Sequence, residues 1–126
     1  MHDACYLSGV LAGIEANLGF IYGQIRNVAH YQHALVTLTY YSLSYDPATA
    51  ASTESVNAPI IAATLAFGGK VASGFDAFRG PALAAGGSSC AAGLLIVLSP
   101  GVCDVHPTPK GRDLLAKAVV NAIAHS

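Results

Sequence analysis

Charge is what this sequence has least of. Lys, Arg, Asp and Glu together make up 10% of its 126 residues, against about 25% in ordinary soluble domains. Hydrophobic residues make up 53%, so little polar surface is available to keep copies apart. The formal net charge is −1, which gives no electrostatic reason to expect nucleic acid or an anionic membrane as partner. Tryptophan is absent and methionine occurs once. The start, Met1-His2-Asp3, lacks the basic residues and apolar run of a signal peptide. A membrane span needs about 20 continuous apolar residues. The longest stretch free of Lys, Arg, Asp and Glu, 80–103, is broken by Pro81, Gly86, Gly87, Gly93 and Pro100, so no membrane span is expected. There is no His-Glu-x-x-His, no paired Cys spacing and no Gly-x-Ser-x-Gly elbow.

The length suits one domain with a modest core. Three cysteines occur. Cys90 and Cys103 flank an apolar run and either close it as a disulfide or stay reduced; pairing them leaves Cys5 outside the bridge.

Along the chain, Leu7, Val10, Leu11, Ile14, Leu18, Ile21, Ile25 and Val28 recur at three- and four-residue steps, which predicts a helix over 6–29 with one apolar stripe. "ALVTLTYY", 34–41, reads as a buried strand. "SLSYDPATAAS" reads as a loop, and a second helix is expected over 53–67, with Thr53 as cap. "KVASGF" is a short strand candidate, followed by a Gly- and Pro-rich loop from Arg79 to Gly93. "LLIVL", 94–98, fits either a strand or a buried loop edge. Thr108 as cap and Pro109 at the first helical position predict a last helix to about Ala124. Its expected buried face is Leu114, Leu115, Ala118, Val119, Ala122 and Ile123. Alternating helices and strands predict an α/β domain with a parallel sheet, whose function sits in loops beyond the carboxyl ends of the strands.

The segments "NLGFIYGQIRNVA", "ALVTLTYY", "KVASGFDAF", "CAAGLL" and "CDVHPTPKGRDLLA" resemble, in that order, successive motifs of the SGNH (GDSL-like) hydrolases, of the secreted actinobacterial type. The resemblance spans residues 5–124 and is most specific in the final motif. It implies a three-layer fold with a reduced parallel sheet flanked by helices, and a carboxylic-ester hydrolase (esterase or lipase) acting on a small ester or lipid-like substrate without a cofactor. By motif position, His106 matches the family's general base. The family's Gly-Asp-Ser nucleophile segment and its Gly-x-Asn oxyanion segment are absent. The chain therefore reads as the C-terminal two-thirds of such an enzyme, a single domain over 1–126 that is truncated at its N-terminus. The family is usually exported.

The family places its acid three residues before the histidine, where this chain has Cys103; Asp104 lies two before. In an extended segment a residue at −2 shares a side with His106, so Asp104 is the candidate to orient the imidazole, with a backbone carbonyl as the alternative. Ser42 and Ser44, beyond the strand "ALVTLTYY", are the best-placed substitute nucleophiles. Each is otherwise a turn-forming serine. Ser88, Ser89 and Ser99 fit less well. Tyr40 and Tyr41 read as core and rim packing, or as a wall of an acyl pocket. Other readings are a metal site at His30 and His33 with His2 or His125, a cysteine nucleophile at Cys103 or Cys90, and a mere loop role for His106. Loss of a central first strand would expose sheet edges, so a homo-oligomer is expected. A non-catalytic, self-associating remnant is the alternative to a working hydrolase.

Overall fold

A computed structural model describes residues 4–125; the start Met1-His2-Asp3, and with it His2, lies outside them. The element order is α1 (Ala4–Gly23), a π-helical turn (Gln24–Val28), β1 (Val36–Leu38), α2 (Pro47–Ala66), β2 (Lys70–Ala72), α3 (Gly74–Ala84), β3 (Leu95–Ser99), β4 (Val102–Pro107) and α4 (Pro109–Ala124). Strands β1 and β2 pair in parallel, with Thr37 opposite Val71, and α2 connects them. Helices α2 and α4 both pack on this pair. The chain is thus an α/β protein. Its parallel sheet has two strands, and β3 and β4 form a separate antiparallel hairpin.

Asp46 explains why α2 starts earlier than the sequence suggests. It precedes Pro47 and is held extended (φ −63°, ψ 153°), and its carboxylate accepts from Thr49 N at 2.9 Å. The restriction that reads as a loop is what an N-cap requires, with proline at the first helical position. Thr53, the expected cap, lies inside the helix and donates to the Thr49 carbonyl at 3.1 Å.

A second correction concerns 79–93. Helix α3 occupies its first part, capped by Ser73, whose hydroxyl accepts from Asp76 N at 3.0 Å. Phe75, Phe78 and Ala82 share its inner face and are buried, a spacing of three and four that Pro81 and the glycines obscure.

A third is that His106 lies on strand β4 rather than in a loop. The hairpin register runs Leu95↔Pro107, Val97↔Cys103 and Ser99↔Val102. Three residues of β4, 104–106, therefore lie opposite Ile96 alone, a bulge of the kind that re-aims side chains.

Helix α1 agrees in extent but not in burial. Leu7, Val10, Ile21 and Val28 of the expected stripe are exposed. Tyr22 is buried and its hydroxyl pairs with Thr37 Oγ1 at 2.6 Å. The stretch Cys5–Val28 is long and apolar enough to cross a membrane, by length and composition. A search for charge-free runs passes over it because Glu15 and Arg26 interrupt it. The "ALVTLTYY" strand is also shorter than expected, three residues, and only half buried. In α4, Thr108 caps as expected, accepting from Gly111 N. Leu115 is buried there, while Ile123 is exposed.

The core joins Tyr45, Phe75, Phe78, Ala82, Leu94, Leu95 and Leu115. It lies against the hairpin and is closed by the Cys90–Cys103 disulfide, Cα atoms 5.7 Å apart.

Candidate active site

Two residues fix the chemistry of β4. His106 Nδ1 lies 2.8 Å from Asp104 Oδ2. The spacing of two puts both side chains on one side of the strand, and the bulge turns the carboxylate so that its Oδ1 also accepts from Val105 N at 2.7 Å. The His106 bond, and then that amide, hold the Asp104 carboxyl below its usual range. An imidazole whose Nδ1 meets a carboxylate has its tautomer set, with Nε2 left to act on substrate. His106 is well exposed, its side chain 71% accessible.

Thr108 and Lys110, just beyond it, anchor this strand. Thr108 N donates to Leu94 O at 2.9 Å and Thr108 Oγ1 to Gly93 O at 2.7 Å. Lys110 Nζ donates to Ala92 O at 2.9 Å. His106 is therefore held between a disulfide-tied hairpin and the capped start of α4.

Beside it lies a cavity of about 350 Å³ lined by Tyr40, Tyr41, Leu43, Val105 and His106. It lies just beyond the carboxyl end of β1, where α/β sheets place ligands. Tyr41 stacks on Phe78, ring centroids 4.3 Å apart, and its hydroxyl donates to Val105 O at 2.5 Å. Burial first, then the neighbouring Asp104 charge, raises the Tyr41 phenol above its ordinary value. The tyrosines at the end of β1 thus form one wall. Leu43 and Val105 complete it; no motif singles them out, and only their flanking of Tyr41 and His106 hints at it.

Ser42 and Ser44 are not in this cavity. Ser42 is fully buried, donates through Oγ to Ser44 O, and accepts from Thr53 Oγ1 at 3.0 Å. Its carbonyl accepts from Ser89 Oγ at 2.7 Å. Ser44 Oγ donates to Asp46 Oδ2 at 2.7 Å. Both hydroxyls hold the turn that leads into α2. Asp46, so bonded, is lowered to about 2 by the Thr49 amide and the Ser44 hydroxyl. Ser88 Oγ accepts from Ala91 N, and Ser99 lies exposed at the end of β3.

Of the other candidates, Cys90 and Cys103 are consumed by the disulfide. His33 packs edge-on against Tyr31 with centroids 5.6 Å apart. Among the described residues, no three His, Cys, Asp or Glu side chains converge on a point.

The site is therefore an oriented histidine on the rim of an apolar cavity, with no serine on its wall. Compared with known proteins, the chain matches no family model, no curated protein and no solved structure.

Proposed function

We propose that the chain is a carboxylic-ester hydrolase domain of the SGNH type, with His106 as general base and Asp104 orienting it. The observation that carries this reading is the 2.8 Å contact between His106 Nδ1 and Asp104 Oδ2 at the mouth of the apolar cavity. General-base catalysis needs an imidazole in one tautomer within reach of the proton it removes. Tyr40, Tyr41, Leu43 and Val105 suit an acyl chain, so the substrate is a small ester or lipid-like molecule. The Cys90–Cys103 bridge supports an oxidising compartment, in keeping with an exported family.

His106 takes the proton from an attacking hydroxyl as it adds to the ester carbonyl, and returns it to the leaving alcohol. Asp104 stabilises the imidazolium formed between the two steps. Where that hydroxyl is a water held on Nε2, turnover is slow.

The second reading is a non-catalytic, self-associating relative of such an enzyme. The bonds of Ser42 and Ser44 favour it, because both hydroxyls are committed to the turn into α2. A fluorophosphonate probe separates the two, read by intact mass and peptide mapping beside His106→Ala and Ser42→Ala/Ser44→Ala chains. One labelled serine, lost in the His106→Ala chain, supports serine acyl transfer and names the nucleophile. No label, together with p-nitrophenyl acetate hydrolysis equal to the His106→Ala rate, removes the hydrolase reading.

A further inference from the structure

We infer that the outer face of α1 is the interface of a twofold dimer with a second copy of this chain. The inference stands independently of the hydrolase reading.

The chain exposes more surface than folded monomers of its mass do. The chain exposes 7495 Å², whereas a folded monomer of 12.8 kDa exposes about 6,300 Å². The excess of about 1,200 Å² is larger than the roughly 800 Å² that each partner contributes to a standard stable interface.

Helix α1 carries a run of exposed apolar residues on one side. Tyr6, Leu7, Val10, Phe20 and Ile21 are 69%, 48%, 43%, 68% and 50% exposed. At about 100° per residue these five fall within an arc of roughly 140°, one stripe along α1. Only 6% of the apolar window in this helix is buried. Ile14 and Leu18, at the stripe's margin, line a groove of about 390 Å³ together with Leu38, Tyr40 and Ile60. The stripe thus continues onto β1.

Charge selects the occupant. Glu15 is the one charge of α1 and falls roughly opposite the stripe's centre, and Arg26 lies in the π-helical turn that follows. Arg26 is bonded to four carbonyls of its own chain. A helix that lies in a membrane surface carries Lys and Arg on its polar face, and this one offers none. A spanning helix cannot keep the inner-face bonds of Tyr22 and Arg26. A second copy meets no repulsion, since the chain's net charge is −1 and the stripe has none.

The stripe is also self-complementary about its midpoint. Gly13 and Ile14 lie at the centre of the run from Tyr6 to Ile21. Laid antiparallel, Tyr6 faces the Ile21 of the other copy and Leu7 its Phe20, the pattern of a closed isologous interface.

The test is light scattering and sedimentation equilibrium on the full chain, with Val10→Glu and Phe20→Glu as variants and Val97→Glu, on β3, as control. The expected result is a mass of two chains for wild type and control. Both α1 variants should be folded by circular dichroism, with the dissociation constant raised more than about 30-fold. Hydroxyl-radical footprinting of the wild type adds a readout that needs no variant: Tyr6 and Phe20 should be protected at high concentration and lose protection on dilution. A monomeric wild type, a dimer indifferent to both α1 substitutions, or monomer co-floating with phosphatidylcholine or phosphatidylserine vesicles overturns the inference.

Discussion

Asn57 and Tyr40 are bonded reciprocally: Asn57 Nδ2 donates to Tyr40 O, and Tyr40 N donates to Asn57 Oδ1, both at 2.9 Å. Lys70 N donates to Leu35 O and Thr39 N to Ala72 O, so the odd-numbered residues of this segment face β2. The even-numbered backbone groups face the other way. Asn57 meets them at Tyr40 as a neighbouring strand would. A buried side chain of α2 thus ends the edge of β1 and fixes where the tyrosines of the cavity begin. Asn57→Leu removes both bonds and leaves the Tyr40 amide without its partner. The expected loss is about 2 kcal/mol in urea unfolding, with faster hydrogen exchange at Tyr40.

The disulfide holds the bulge that pairs Asp104 with His106. It closes a loop of sequence separation 13, for which loop entropy alone gives about 3 kcal/mol. Cys90→Ser/Cys103→Ser, or the wild type in reductant, should unfold at a correspondingly lower urea concentration. An unchanged midpoint would mean that hairpin packing alone holds the site.

Gly111 sits where α4 passes closest to the hairpin. A Cβ there would lie 2.5 Å from Leu94 O and 3.1 Å from the Phe78 ring. Alanine is worth up to about 1 kcal/mol over glycine inside a helix, but the Leu94 carbonyl is fixed by Thr108 N and cannot yield. Gly111→Ala should therefore destabilise by at least about 1 kcal/mol; a thermal melt at or above the wild-type midpoint would contradict this.

Asp46 makes stability depend on acid. Its carboxyl is lowered from 3.8 to about 2 by the cap and the Ser44 bond. A depressed carboxylate stabilises the fold above its unfolded value and loses that contribution as pH falls through the folded one. Asp46→Ala should thus unfold at lower urea than wild type at pH 7. The gap should narrow between about pH 4 and pH 2, and a constant gap over that range would count against the carboxylate as the source.

Arg26 joins two parts of the chain through carbonyls, and its guanidinium also lies over the Tyr31 ring, 5.9 Å from the centroid. It donates to Phe67 O at 2.9 Å and Gly68 O at 3.4 Å, beyond the end of α2, and to Tyr31 O and His33 O, each at 2.8 Å. Carbonyls at a helix end carry the negative pole that favours a cation. Arg26→Met keeps the length and removes the donors, with an expected cost of about 2 kcal/mol and faster hydrogen exchange across 29–35. Protection equal to wild type there would refute the role.

The last helix was legible in sequence because its signals are local: Thr108 as cap, Pro109 behind it, and an apolar period of three and four. So was the shared side of Asp104 and His106, which needs only the period of two. The start of α2 is not legible because an aspartate before a proline serves both a loop and a cap, and the bond from Thr49 N decides. Helix α3 was hidden by Pro81 and Gly80, whose cost is offset by burying Phe75, Phe78 and Ala82. The commitment of Ser42 could not be read, since it depends on Thr53 and Ser89, 11 and 47 residues away. The stripe of α1 carried the right period but no sign of which face lies inward; Tyr22 and Arg26 settle that through distant partners.

The π-helical turn at Gln24–Val28, closed by Ala29 N on Gln24 O at 2.9 Å, has the form of an α-helix that has gained one residue. That makes the segment a point of length sensitivity. Shortening it by one residue would restore a regular turn at small local cost, yet swing everything beyond it by about 100°. A guanidinium that gathers four carbonyls would then point elsewhere. Related chains that keep Arg26 should keep the extra residue with it, and those that lose one should lose both.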